Sequence, residues 1–141
     1  MTLLQIYTLT AIVLALKMSA VSVVQGVART RAGIFINPED AKTFGAKHAA
    51  EDAPAVLRAS RAWRNDLENI PLFLILGWIY VAAGLSSSKF LAYCAIFVVA
   101  RIAHTICYIN SIQPVRTISY TLGALVTLAL MIHLFIRVVL A

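Results

Sequence analysis

Arg61-Ala62-Trp63-Arg64-Asn65-Asp66-Leu67-Glu68-Asn69 runs directly into Ile70-Pro71-Leu72-Phe73-Leu74-Ile75-Leu76-Gly77-Trp78-Ile79-Tyr80. The first half is charged at a helical period and the second half is apolar. Arg61, Arg64, Asn65 and Glu68 are offset by three, four and seven residues, so one helical stripe carries them all, with Asp66 off it. The apolar continuation to Leu85 has the composition of a membrane span. The stretch therefore reads as one helix that enters a bilayer with a polar stripe at its edge. Pro54 suits the first turn of that helix. Pro71 removes a backbone donor from its interior and predicts an interruption there.

The same composition extends outward in both directions. Hydrophobic residues make up 61% of the 141 residues and charged residues 13%, too apolar for a soluble domain of ordinary composition. Four spans are expected, at about 3–27, 57–85 (including a cytoplasmic extension), 90–109 and 118–139, joined early by one long loop at 28–56. The first apolar stretch has no basic residue before it and is too long for a signal-peptide core, so it reads as a retained helix. Gly84 with Ser86-Ser87-Ser88, and Asn110-Ser111-Ile112-Gln113-Pro114, supply short turns. Short turns imply antiparallel neighbours. The expected fold is an all-α membrane protein, a four-transmembrane-helix up-down bundle in one domain over 1–141.

Charge sets the expected orientation. Arg29, Arg31, Lys42, Lys47, Arg58, Arg61 and Arg64 fall between the first two spans, whereas Lys89 is the only basic residue between the second and third. The long loop is then cytoplasmic and both chain ends face away. This placement accounts for the net charge of +6 without nucleic acid. Within the long loop, Asn37-Pro38-Glu39-Asp40 reads as a turn opening a short acidic helix. Cys94 and Cys107 lie in an apolar span, where cysteine serves as a small hydrophobe. The three histidines are too scattered to hold a metal.

Ionisable residues within a span are costly and mark candidate sites. Besides the Arg61 stripe, Arg101, His104, Thr105 and Tyr108 share a face deep in the third span. Arg116, Thr117, Tyr120 and Thr121 make a polar opening turn of the fourth. Up-down topology brings all three groups to one membrane face, and Arg29 ends the first span on the same side. One polar cavity open to the cytoplasm is expected. Arginine forks suit carboxylates, and a carboxylate such as Glu68 suits an ammonium group. Glutathione has two carboxylates, an amine and a thiol, although another zwitterionic or anionic ligand would meet the same inventory. A nearby cation favours thiolate over thiol.

At these residues the sequence resembles the MAPEG family, in the branch that holds microsomal glutathione transferase and the inducible microsomal prostaglandin E synthase. The matching runs are Asn37–Asp40, Arg61–Asn69, Ala100–Thr105 with Tyr108, and Arg116–Tyr120, in family order and spacing. The resemblance implies a homotrimer with glutathione near subunit interfaces. It implies glutathione contacts at Arg64, Asn65, Glu68, His104, Tyr108, Arg116 and Tyr120, with Arg29 reaching in from a neighbouring subunit. Arg116, Thr117 and Tyr120 become the catalytic candidates, with Arg116 in the place of the thiolate stabiliser and Thr117 where the synthase has serine. Asp40, Arg61, Arg101 and Thr105 are supporting candidates. Lys17 and His133 match no site.

The expected activity is glutathione transfer, with an accompanying peroxidase activity, onto a lipophilic electrophile or lipid peroxide. One alternative is a glutathione-dependent endoperoxide isomerase of the prostaglandin E synthase kind. Another is a non-catalytic membrane scaffold or a binder of lipid mediators. The expected membrane is the endoplasmic reticulum or a bacterial inner membrane.

Overall fold

The computed structural model describes residues 1–140. It holds four long helices and a small folded loop. Helix α1 spans Leu3–Ala32. Its start is fixed by a reciprocal cap: the Gln5 backbone N–H donates to Thr2 Oγ1 at 3.2 Å, and the Thr2 N–H donates to Gln5 Oε1 at 2.9 Å. Its end is set by Gly33 in the left-handed region, at φ 60°. The short helix α2, Pro38–Thr43, bears out the reading of Asn37–Asp40 as a helix start. Asn37 there donates to Asp40 Oδ2 at 2.9 Å.

A two-residue parallel ladder, β1 (Ile34–Phe35) against β2 (Lys47–His48), closes this loop. The all-helical expectation did not include it. It pairs backbone groups that a loop would otherwise leave to solvent.

Helix α3 spans Pro54–Ala82 and continues as one helix through Pro71, where the sequence predicted an interruption. Helix α4 spans Ser87–Ile109 and α5 spans Val115–Leu134, which widens into a π turn at Phe135–Val139. Helices α4 and α5 begin about three residues before their expected apolar spans, α3 begins at Pro54 as the sequence predicted, and α1 runs on five residues past its expected end. Hydropathy marks the membrane-facing part of a helix, whereas backbone hydrogen bonds carry on past it.

Cross-pairs show the helix directions. Tyr7 meets Trp78 at 5.6 Å between ring centroids, Tyr80 stacks on Phe90 at 4.9 Å, and Tyr93 bonds to His133. Helices α1 and α3, α3 and α4, and α4 and α5 are thus antiparallel neighbours. Their shared core includes Leu14, Ile70, Phe73, Phe97 and Leu130, with Phe73 and Phe97 stacked at 3.8 Å. Gly77 permits the α3–α4 approach, since a Cβ there would stand 3.3 Å from the Phe90 ring.

Helices α1, α4 and α5 (with its π turn) are long and apolar enough to cross a membrane. Large apolar side chains such as Leu16, Val23, Val99 and Leu125 remain exposed along them. Such faces suit lipid, where packing between helices replaces burial from water as the source of cohesion.

Candidate functional site

The first half of α3, the end of α4 and the start of α5 meet at one end of the molecule. His104 stands at the centre. Its ring centroid lies 5.6 Å from that of Tyr108, one turn along α4, and 6.0 Å from that of Tyr120 on α5. The Arg116 guanidinium carbon sits 4.8 Å above the Tyr108 ring, a cation–π contact that fixes its reach. The offsets that put His104 and Tyr108 on one face of α4, and Arg116 and Tyr120 on one face of α5, make this cluster possible. Close helix packing completes it: at Gly123, α5 passes near enough that a Cβ would lie 3.6 Å from Arg101 Cδ.

Beside the cluster opens a cavity of about 290 Å³, lined by Arg58, Arg61, Tyr108, Ser111 and Arg116. Three guanidinium groups converge there with no carboxylate in the lining. An anion with carboxylate groups fits this donor set. Arg58 also bonds to the Ser111 hydroxyl, tying α3 to the α4–α5 turn. The Gln113 side chain sits between Thr117 and Arg116. With its amide nitrogen 3.0 Å from Thr117 Oγ1, its oxygen accepts from Arg116 Nε at 3.2 Å.

Below the cavity lies a buried charge network. Asp66 and Arg101 are both fully buried, and Arg101 Nη2 donates to Asp66 Oδ1 at 3.0 Å. Lys17 of α1 pairs with the other carboxylate oxygen, Asp66 Oδ2, and Arg101 also donates to Asn65 Oδ1. Two cations share one carboxylate, so the cluster keeps an excess positive charge. Among the described residues, Arg101 Nε and Nη1, His104 Nδ1 and Thr105 Oγ1 are buried with no hydrogen-bond partner. These polar atoms lie on the α4 face next to the cluster and can serve a polar ligand or its ordering.

The sequence stripe on α3 thus divides in space. Arg61 lines the cavity, and Asn65 turns inward to Arg101. Arg64 and Glu68 are exposed, and neither belongs to the ion pairs found among the described residues. Thr117 and Tyr120 are exposed, while Arg116 is half-buried. Arg29 does not line the cavity. Its guanidinium clasps Asp52 with bonds of 3.1 and 3.0 Å, and Asp40 is engaged by Asn37. One continuous cavity built from every candidate was expected; in a single chain Arg61, Tyr108 and Arg116 line the cavity, His104 and Tyr120 stand in the cluster beside it, and Arg64, Glu68 and Arg29 do not line it.

Sequence reasoning named no partner for Lys17, set Asp66 off the polar stripe, and gave Arg58, Ser111 and Gln113 no place in the site. A signal for the first pair was present. A lysine and an arginine inside apolar spans need a carboxylate, and residues 69–141 contain no Asp or Glu. Asp66, off the polar stripe of α3, was therefore the available partner on the helix's inward side.

A sequence model of the MAPEG family matches residues 7–136. Prostaglandin E synthase of Homo sapiens is 37% identical over 120 residues, covering 84% of this chain and 79% of that protein. Prostaglandin E synthase of Bos taurus is 36% identical over 120 residues, with 84% and 78% covered. Microsomal glutathione S-transferase 1 of Homo sapiens is 38% identical over 125 residues, covering 85% of this chain and 81% of that protein.

Proposed function

The chain belongs to the MAPEG family, and from that premise we propose that it is an enzyme which uses glutathione as a thiolate against lipophilic electrophiles. The observation that carries the reading is the Arg116–Tyr108–His104–Tyr120 cluster beside a cavity whose charged lining is wholly cationic. Relatives named as a glutathione S-transferase and as prostaglandin E synthases support it.

Glutathione's carboxylates fit the guanidinium groups of Arg58 and Arg61. The Arg116 cation lowers the cost of ionising the thiol, whose proton leaves to solvent. The thiolate sulfur then forms a bond to an electrophilic carbon as the carbon–halogen bond of an aryl halide breaks, and halide departs. Tyr120 and Thr117 flank the same turn and are assigned to orienting the sulfur, with Gln113 holding Thr117 and Arg116 in place. Asn65, Arg101 and Thr105 are assigned to supporting this floor. The bilayer supplies the apolar substrate and the cytoplasm supplies glutathione. Purified protein should release a thioether from an activated aryl halide only when glutathione is present. A protein that binds glutathione without turning over any electrophile would favour the binding-protein reading. Turnover confined to a lipid endoperoxide would favour the isomerase.

The full assembly in this reading is a homotrimer of chains that each cross the membrane four times, one domain over 1–141, with α3 supplying the fourth crossing through its apolar half. The exposed positions of Arg64 and Glu68 support a shared site, since a neighbouring subunit's cavity gives both a ligand to meet. Arg29 would exchange Asp52 for a role in the neighbour's site. Co-expressing Arg29→Ala with Arg116→Ala chains should then give mixed trimers with partial activity, well above either parent. Mixed trimers verified by two affinity tags yet as inactive as both parents would count against the shared site.

A further inference from the structure

The opposite end of the helices carries a second cationic cluster that the reaction does not use. Lys89 opens α4, and His133 and Arg137 close α5 and its π turn. With Ser86 they line a cleft of about 320 Å³. The α3–α4 turn is anchored there by Tyr80, whose hydroxyl donates to the Ser86 carbonyl at 3.1 Å. Tyr93 Oη lies 3.2 Å from His133 Nδ1, and the Tyr80 ring stands edge-on to the imidazole at 5.3 Å. The imidazole is therefore held in place with Nε2 left free of that bond.

No Asp or Glu side chain occurs in residues 69–141. Neither Lys89 nor Arg137 takes part in an ion pair among the described residues. The amino end of α4 adds the positive end of a helix dipole to the same cleft.

This polar cleft continues into a second one of about 450 Å³, which shares Lys89 and His133 and runs over Ala129, Ile132 and Ile136. Ile132 and Ile136 are each 51% exposed, four residues apart on one face of the last helix. A cationic pocket at the helix ends that opens into an apolar strip along the helices has the shape of an amphiphile. We propose that this end of the molecule binds a phospholipid with an anionic headgroup: its phosphate lies among Lys89, His133 and Arg137, and an acyl chain lies along Ile132 and Ile136. Arg137 belongs to the π turn at Phe135–Val139 and lines the cleft. Wide turns of this type are frequent where a helix serves a function.

The test is a lipid titration of the purified, detergent-solubilised protein by native mass spectrometry. Phosphatidylglycerol is compared with phosphatidylcholine of the same chains. The anionic lipid should bind more tightly. The double variant Lys89→Ala/Arg137→Ala should lose that preference by roughly 30-fold, as two basic residues near an anionic headgroup imply. The charge-preserving variant Lys89→Arg/Arg137→Lys should keep it, and glutathione affinity should be unaltered in both. Inorganic phosphate alone should not raise the melting temperature as the lipid does. Equal binding of the two lipids by the native protein overturns the proposal. So does a preserved preference in the alanine variant, or a lost one in a folded charge-preserving variant. Free phosphate that stabilises as well as the lipid overturns it too, because the apolar strip would then contribute nothing.

Discussion

Arg116→Ala should lower the rate of glutathione conjugation by about 100-fold while weakening glutathione binding far less. The reason is positional. Arg116 stands in the first turn of α5, half-buried, with its guanidinium carbon 4.8 Å above the Tyr108 ring. The stacked ring and the Gln113 amide hold the cation in one place, so little of its charge is lost to motion or water. A cation fixed beside the sulfur favours thiolate over thiol, and the thiolate is the species that reacts. Without it the bound thiol ionises at higher pH. The rate should then rise with pH along a curve displaced upward, and the gap between native and variant should narrow in alkaline solution. Arg116→Lys keeps the charge but loses the planar fork, so its rate should fall between the two. Stopped-flow absorbance of the bound thiolate, read beside the rate, checks the cause. A variant with native rate and native thiolate absorbance would remove Arg116 from the mechanism.

Asp66→Asn should be strongly destabilising, costing about 3–5 kcal/mol. Asp66 is fully buried and shares its two oxygens between Lys17 and Arg101. An amide in its place leaves two cations facing each other inside the protein with no counter-charge. The loss should appear as a melting temperature lower by about 10 °C or more in detergent. Adding Lys17→Met to the variant removes one of the two stranded cations and should recover part of the loss, although Arg101 stays unpaired. The same change should weaken glutathione binding, because Arg101 lies one turn of α4 from His104 and holds Asn65. Native melting behaviour in Asp66→Asn would show that the network contributes little, as when a nearby polar group takes over the carboxylate's role.

These two expectations describe opposite uses of charge. At Asp66 the carboxylate is spent inside the protein, joining α1, α3 and α4 at one point. At Arg116 the cation has no carboxylate in its cavity, and in the proposed mechanism it acts on the ligand. The lack of acidic residues after Glu68 makes this division possible: the arginines and lysine of the last two long helices cannot neutralise one another and must look to α3, to a ligand or to a lipid.

Much of the architecture is legible in the sequence. The helices, the span-like composition of α1, α4 and α5, and the short helix after Asn37 all follow from local pattern. Hydropathy and helical period are properties of neighbouring residues, so a single chain displays them in full. The same holds for membership of one face: Arg101, His104, Thr105 and Tyr108 share theirs by spacing alone. The sequence by itself therefore determined which residues were available to a site and at which end of the helices they would gather.

Tertiary structure alone decided which of them meet. Period assigns a residue to a face but does not say which helix that face will touch, nor at what height. Helix packing set the 6.0 Å approach of His104 to Tyr120 and turned Asn65 inward while its stripe-mates Arg64 and Glu68 stayed exposed. It likewise brought Lys17, 49 residues away in sequence, onto Asp66. These outcomes depend on the fit of large side chains between helices, such as Phe73 on Phe97, and on the close passage of α5 at Gly123. That fit is a sum over many distant contacts, so no local window of the chain contains it.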